Sequence, residues 1–205
     1  MPDFADAVAY LKAADPKLAA VIDRVGPYTL KRRPMPNLFH ALCQSIAYQQ
    51  LSGKAAATIF GRVQALAGKI LLADKIKAID DAALRACGLS RAKLAAFRDL
   101  SDKVLGGVLP DKRALIKLGD EEVIERLTVV RGIGRWSAEM ILMFRLGRPD
   151  VLPVTDYGVR KGFTIMLGKR KLAEPEQISA RGKRWAPWRS IASWYLWRVL
   201  ELPKS

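Results

Sequence analysis

Apolar residues recur at helical spacing along almost the whole chain, and this pattern restricts the possible folds more than any other feature. After Asn37, for example, Leu38, Leu42 and Ile46 fall on one face of a helix. The strict alternation of apolar and polar residues that marks a half-buried strand is missing. The sequence therefore predicts an all-α protein.

Capping residues and breaks divide this pattern into separate helices. Asp3 is predicted to cap a first helix that runs to about Ala14, and Ser52 and Ser90 are predicted to cap later ones. The segment 26–36 contains three prolines and a basic Lys-Arg-Arg cluster. We interpret this segment as a hinge between two helical lobes.

The charge balance favours a polyanionic partner. The chain has 35 Lys and Arg against 20 Asp and Glu, a formal net charge of +15, and such an excess concentrates nucleic acid around a protein. A basic surface that serves solubility or an anionic membrane remains an alternative. No apolar run has the length of a signal peptide or a membrane span, so we expect an intracellular, soluble protein that does not bind membranes.

The few sulfur and imidazole side chains exclude several kinds of site. Cys43 and Cys87 are the only cysteines, so a disulfide framework and a four-cysteine iron-sulfur cluster are both excluded. Cys43 is predicted to be a core residue. His40 is the only histidine; we expect it to be partly exposed on its helix, and it supports no nucleophilic Cys-His or Ser-His pair.

The sharpest local signal lies at Leu127–Ala138, where a helix ends at Gly132 and Gly134 and another restarts at once. Both glycines permit positive φ and leave backbone N–H groups uncovered, and the restarting helix adds further donors and the positive end of its dipole. Such a hairpin can bind a phosphate. An ordinary glycine-terminated helix followed by another is the alternative.

A second motif, Pro153-x-x-Asp156-Tyr157, follows the hairpin and opens a later helix. The hairpin and this motif together resemble the helix-hairpin-helix DNA glycosylase superfamily. The resemblance implies that Asp156 is the catalytic carboxylate, which stabilises an oxocarbenium-like sugar while water completes the hydrolysis. The alternative is that Asp156 or Thr155 only caps the helix.

Members of this superfamily that also nick DNA have a lysine where this chain has Trp136, and the tryptophan is similar to that of the 3-methyladenine DNA glycosylase II (alkylated-base) branch. The resemblance thus implies hydrolysis without lyase activity. Four aromatic residues are candidates for stacking on a cationic base: Trp136, Tyr48, Phe39 and Tyr157. Packing between helices is the alternative for Trp136.

The segment 39–56 resembles the part of this branch that fills the space left by a flipped base. By that match Gln50, with Leu51 beside it, is the plug, although either residue could simply end its helix. Arg131 and Arg135 beside the hairpin, and Lys54 after the plug, are predicted DNA contacts. The segments 185–192 and 195–198 resemble the end of this branch. We expect most of their aromatic residues to lie in the core, with Trp185 or Trp188 as the exception that reaches the cleft.

The resemblance also implies the architecture and the requirements of the site. Residues 34–149 would form a central helical lobe ending in the hairpin, residues 1–33 and 150–205 a second lobe carrying the aspartate, with the active cleft between them. The backbone carbonyls of Thr128, Val130 and Ile133 could hold a structural Na+ or K+, and no cofactor is required. The partner would be double-stranded DNA containing alkylated bases, bound by a monomer in the cytoplasm, nucleoid or nucleus.

Two other functions remain open from the residues. Helix-hairpin-helix turns also occur in proteins that only hold DNA, and the Pro-x-x-Asp-Tyr motif argues against this non-catalytic alternative. A bifunctional glycosylase and lyase for oxidised bases is the other alternative, and Trp136 in place of lysine argues against it.

Overall fold

The computed structural model describes residues 4–203, and the regular structure of this part of the chain is helical, with no strand. The prediction of an all-α protein is confirmed. The chain divides into two compact units, which we call the terminal unit (residues 1–32 and 142–205) and the central unit (residues 33–141). No helix in residues 4–203 is both long and apolar enough to cross a membrane.

The α-helices follow one another with short connections. In chain order they are α1 (Ala5–Ala14), α2 (Pro16–Val25), α3 (Leu38–Tyr48), α4 (Gly53–Ala67), α5 (Ala73–Ala78), α6 (Asp81–Ala86), α7 (Arg91–Leu105), α8 (Lys112–Lys117), α9 (Asp120–Thr128), α10 (Arg135–Ile141), α11 (Tyr157–Met166), α12 (Pro175–Gly182) and α13 (Arg189–Arg198). A π-helical segment spans Leu142–Leu146, and 3-10 turns span Lys183–Trp185 and Val199–Glu201. The predicted cap of α1, Asp3, lies outside the described residues.

In the central unit, α3 packs against α4 and α7, and α5 also packs against α7. Side-chain caps begin α3 and α7 where the sequence predicts them: Asn37 accepts from the His40 N–H at 2.7 Å, and Ser90 accepts from the Lys93 N–H at 3.2 Å. Cys43 is fully buried, as predicted. Helix α7 therefore packs against both α3 and α5.

The terminal unit joins the two ends of the chain in one core, because α13 packs against both α2 and α11. Asp15 is buried at the start of α2; it caps this helix and accepts hydrogen bonds from Arg181, at 2.5 and 2.6 Å, and from Trp185 Nε1 at 3.0 Å. Trp185 is itself fully buried. Trp185 therefore follows the expectation that its segment is core, and it is not the exception that the sequence left open.

His40 is a second correction. Its side chain is 8% exposed, not partly exposed as expected, because it lies on the face of α3 that packs inward. Its Nδ1 accepts a hydrogen bond from the Leu71 N–H at 3.2 Å, and its ring meets Phe60 edge-on. The polar imidazole is buried at low cost because a backbone donor satisfies it.

Candidate functional site

Asp156 combines the two roles that the sequence left open. It is the N-cap of α11, where Oδ1 accepts from the Val159 N–H at 2.8 Å. The same oxygen accepts from Trp197 Nε1 at 2.7 Å, and the residue is only partly buried. A carboxylate at a helix N-terminus is stabilised as an anion by the dipole. The capping bond thus fixes the orientation of a negative charge that solvent can still reach.

Trp197 is the main partner of Asp156 that sequence reasoning missed. Its indole stacks on Phe144, with ring centroids 5.7 Å apart and planes 28° apart. Gly158 makes room for it: a Cβ at this position would lie 2.7 Å from Trp197 Cδ1 and 3.1 Å from Asp156 Oδ1. The glycine two positions after the aspartate was the available signal, because it marks a close approach.

The hairpin between α9 and α10 has the tight geometry that the two glycines predict, although only one of them requires glycine for its backbone. Gly132 has φ +81°, and the Ile133 N–H donates to the Val130 carbonyl at 3.0 Å to close the turn. Gly134 does not adopt the positive φ that a glycine permits. Both glycines are exposed.

The two arginines beside the hairpin differ in their partners. The guanidinium of Arg135 donates to both carboxylate oxygens of Glu121, at 2.5 and 2.9 Å, and to Glu139 at 3.2 Å. Hydrogen bonding from Arg135 lowers the pKa of Glu121. Arg131 is exposed, and its backbone N–H donates to Asp99 Oδ2 at 2.7 Å. Arg131 therefore presents a charge to solvent, whereas Arg135 must leave two carboxylates to bind a phosphate fully.

The predicted plug lies in the turn between α3 and α4, residues 49–52, which we call the plug turn. Gln50 has φ +56°, the one positive φ at a non-glycine residue within 4–203, and its side chain is exposed. Such a conformation costs about 1–2 kcal/mol for a residue with a Cβ, and it persists where surrounding contacts impose it. Leu51 beside it is 40% exposed. Lys54 is exposed in the first turn of α4.

The aromatic candidates fall into two groups by exposure. Trp136 in the first turn of α10 and Tyr157 in the first turn of α11 are exposed, by 44% and 68%. Tyr48 ends α3 half-buried, edge-on to Phe60 at a centroid distance of 6.3 Å. Phe39 is buried, which favours packing over contact with a base. Trp188 is partly buried against the core of the terminal unit.

Within the central unit, one side chain joins the plug turn to the hairpin. Gln49 Nε2 donates to the Gly132 carbonyl at 2.8 Å and lies 3.4 Å from Ser137 Oγ. Tyr48 precedes Gln49 and Trp136 precedes Ser137 in the chain, so both aromatic residues adjoin this contact. Asp156 and Tyr157 belong to the terminal unit, and the remaining candidates to the central unit.

No group of three or more His, Cys, Asp or Glu side chains in residues 4–203 is arranged to hold a metal ion.

The sequence matches, over residues 43–187, the model of the HhH-GPD superfamily of base excision DNA repair proteins. The chain belongs to this superfamily. The matched range contains the plug turn, the hairpin and Asp156, but it ends before α13.

Relatives in the HhH-GPD superfamily resemble the chain over nearly its full length. DNA-3-methyladenine glycosylase 1 of Schizosaccharomyces pombe is 33% identical over 196 residues, which cover 94% of this chain and 86% of that protein. The solved structure of S. pombe 3-methyladenine DNA glycosylase (Mag1) in complex with abasic DNA has a TM-score of 0.86 at 32% identity, covering 96% of this chain and 97% of that one. A DNA-3-methyladenine glycosidase of Bacillus halodurans has a TM-score of 0.85 at 37% identity, covering 94% and 88%.

Proposed function

We propose that the chain is a monofunctional DNA glycosylase of base excision repair that releases alkylated purines, of the 3-methyladenine and 7-methylguanine type, from duplex DNA. The observation that carries the proposal is Asp156 at the start of α11, held by Val159 and Trp197 in a superfamily member whose relatives are named 3-methyladenine DNA glycosylases.

The reaction needs little beyond this carboxylate. As the glycosidic bond breaks, positive charge develops on the sugar, and an oriented anion stabilises that oxocarbenium-like state. Water then attacks the sugar. An alkylated purine already carries positive charge, so it leaves without strong protonation. Aromatic faces favour such a cation, and the residues Trp136 and Tyr157 are both exposed.

Release without strand cleavage follows from the residue at position 136. A lyase step needs an amine that forms a Schiff base with the sugar, and Trp136 supplies none. Trp136 therefore favours hydrolysis over the bifunctional alternative, and the oriented Asp156 favours catalysis over simple DNA binding.

Duplex DNA would be held by the hairpin and distorted at the plug turn. The exposed backbone at Gly132 and Gly134 and the exposed Arg131 suit phosphate contacts, with Lys54 on α4 as a further cation. Gln50 and Leu51 project from a turn in a constrained conformation and would fill the space of the flipped nucleotide. We expect a monomer that acts inside the cell, where the DNA is.

We also propose that the end of α9 holds a structural Na+ or K+. Thr128 ends this helix, where carbonyls lack intrahelical donors, and the Val130 carbonyl accepts one hydrogen bond while keeping a second lone pair. With the carbonyl of Ile133 they make a set of oxygen donors, which suits a hard cation. Such an ion would supply positive charge beside a bound phosphate and would take no part in bond cleavage.

The test is a base-release assay on duplex DNA treated with a methylating agent, with free bases separated by chromatography and strand breaks measured on a parallel denaturing gel. We expect release of 3-methyladenine and 7-methylguanine, and breaks only after alkali treatment. Absence of released bases would contradict the proposal, and breaks without alkali would favour the bifunctional alternative.

A further inference from the structure

The ammonium group of Lys93 lies at the C-terminal end of α3. From the first turn of α7, Lys93 Nζ donates to the carbonyls of Ala47 and Gln49, both at 2.8 Å. Partial burial lowers the pKa of Lys93. The last carbonyls of a helix have no partners within it, and a cation placed there satisfies them and complements the dipole.

One of these carbonyls belongs to Gln49, which stands directly before Gln50, the residue with the left-handed backbone. Gln49 is extended, with φ −58° and ψ 135°, and Gln50 follows with φ +56°. The left-handed conformation of Gln50 needs an external constraint. Lys93 fixes the backbone on one side of it, and Ser52, which caps α4 by accepting from the Ala55 N–H at 3.4 Å, fixes the other side.

The side chain of Gln49 carries this constraint across to the hairpin. Its Nε2 donates to the Gly132 carbonyl at 2.8 Å, so the same residue is held by Lys93 through its backbone and holds the hairpin through its amide. The contact is to the residue whose positive φ shapes the hairpin.

Helix α7 supports the hairpin as well. Ala96 Cβ lies 3.5 Å from the position that a Cβ on Gly132 would take. Asp99 Oδ2 accepts the Arg131 N–H at 2.7 Å, and although burial raises the pKa of Asp99, its bonds to Lys103 and to the Arg131 backbone lower that pKa overall. Residues 93, 96 and 99 therefore support the plug turn and the hairpin from one helix.

We propose that Lys93 is a positioning residue that, together with Gln49, locks the plug turn to the hairpin, so that Gln50 enters the duplex at a fixed offset from the phosphate bound at the hairpin. This inference rests on the proposed function, in which Gln50 occupies the space of a flipped base. Lys93 itself touches no substrate; its contacts are the two carbonyls of the turn.

The experiment compares binding to two duplexes, one undamaged and one containing a tetrahydrofuran abasic analogue opposite 2-aminopurine, whose fluorescence reports unstacking. Lys93→Met keeps most of the side-chain length but removes the donors. We expect the preference for the abasic analogue to fall about tenfold, with a matching loss of the 2-aminopurine signal. Lys117→Met, at an exposed position of α8, is the control for loss of one positive charge.

A double-mutant cycle separates positioning from stability. If Lys93 acts through Gln50, Lys93→Met should cause no further loss of preference in a Gln50→Ala background. Gln49→Met, which cuts the link to the hairpin, should reproduce the loss of preference, and it carries the test if Lys93→Met fails to fold.

Additive losses in the cycle, or an unchanged preference in a folded Lys93→Met protein, would overturn the inference while leaving the plug assignment intact. An unchanged preference in Gln50→Ala would overturn the plug and the inference together. If the unmodified protein releases no alkylated base but the preference and the cycle behave as expected, the proposed function fails and the positioning role stands.

Discussion

At the scale of single residues, the capping and catalytic interpretations of Asp156 are separable by experiment although both describe the same side chain. Its Oδ1 is committed to Val159 and Trp197, and an asparagine could keep its carbonyl oxygen in that place. What an asparagine cannot supply is the negative charge.

We expect Asp156→Asn to bind duplex DNA and to release alkylated bases on the order of a hundredfold to a thousandfold more slowly, because a charge of this kind contributes about 3–4 kcal/mol to the transition state. Loss of a negative charge near phosphates should leave binding equal or slightly tighter. Single-turnover base release, with binding measured in parallel, checks this. Release at the unmodified rate would reduce Asp156 to a helix cap.

Trp197→Phe tests the indole as a positioning group for the carboxylate. Phenylalanine keeps a ring to stack on Phe144 but removes the donor that reaches Asp156 Oδ1 at 2.7 Å. We expect kcat to fall by about tenfold to a hundredfold with little change in binding, since a hydrogen bond to a charged group contributes about 1.5–3 kcal/mol. In an Asp156→Asn background the same substitution should cost little more; a full further tenfold loss would point to a separate role.

Sequence reasoning found the parts of the site that are local in the chain and missed those that are not. The hairpin glycines and Asp156 each stand in a short motif whose geometry follows from the residues themselves. Trp197 is 41 positions from Asp156, and nothing in its own segment indicates which aromatic of α13 donates to the carboxylate. Phe39 was expected in a binding site, but the packing of α3 buries it.

At the scale of elements, the hairpin offers a matched pair of substitutions. Gly132 has φ +81°, whereas Gly134 lies outside the left-handed region and a Cβ there would meet nothing within 4 Å. Gly132→Ala should distort the turn at a cost of about 1–2 kcal/mol and weaken binding to every DNA sequence alike, since the lost contacts are to phosphate. Gly134→Ala should have a clearly smaller effect. Anisotropy on two unrelated duplexes measures both; loss on one sequence alone would contradict a phosphate role.

Several helices are located from the sequence by a side-chain cap followed by an apolar face. Asn37, Ser52 and Ser90 begin α3, α4 and α7 in this way. No helix is predicted over α8 from the sequence, although Asp111 caps it.

In the terminal unit, α12 is linked to the start of α2 because Arg181 donates hydrogen bonds to the buried Asp15. Burial raises the pKa of Asp15, but hydrogen bonds from Arg181 and Trp185 outweigh it, so the pKa is lowered. The stability that this depressed pKa contributes is present at neutral pH and is lost as the pH falls through the ordinary aspartate range to the folded-state value.

Asp15→Asn should therefore destabilise the protein by about 3 kcal/mol at neutral pH, because it leaves Arg181 facing a neutral partner in a buried site. The difference from the unmodified protein should shrink as the pH is lowered. Asp23→Asn, in an ion pair between side chains 61% and 42% exposed, should change stability by less than about 1 kcal/mol. Thermal unfolding of the three proteins across a pH series checks both; equal effects of the two substitutions would mean that Asp15 is not the buried partner described.

At the scale of the whole molecule, the net charge of +15 sets the strength of DNA binding before any damaged base is recognised. Each phosphate neutralised releases condensed counterions, so affinity should fall steeply with salt, by about a thousandfold between 50 and 200 mM for ~6 contacts. Substitutions of the two arginines beside the hairpin should differ in their effect on this salt dependence. Arg131→Gln should reduce the slope of log K against log salt by about one. Arg135→Gln should change the slope less, because Glu121 and Glu139 already hold that guanidinium. Anisotropy titrations of an undamaged duplex give all three slopes. A flat profile for the unmodified protein would mean that its basic surface does not face DNA, and a larger change for Arg135→Gln than for Arg131→Gln would mean that the ion pairs of Arg135 open when DNA binds.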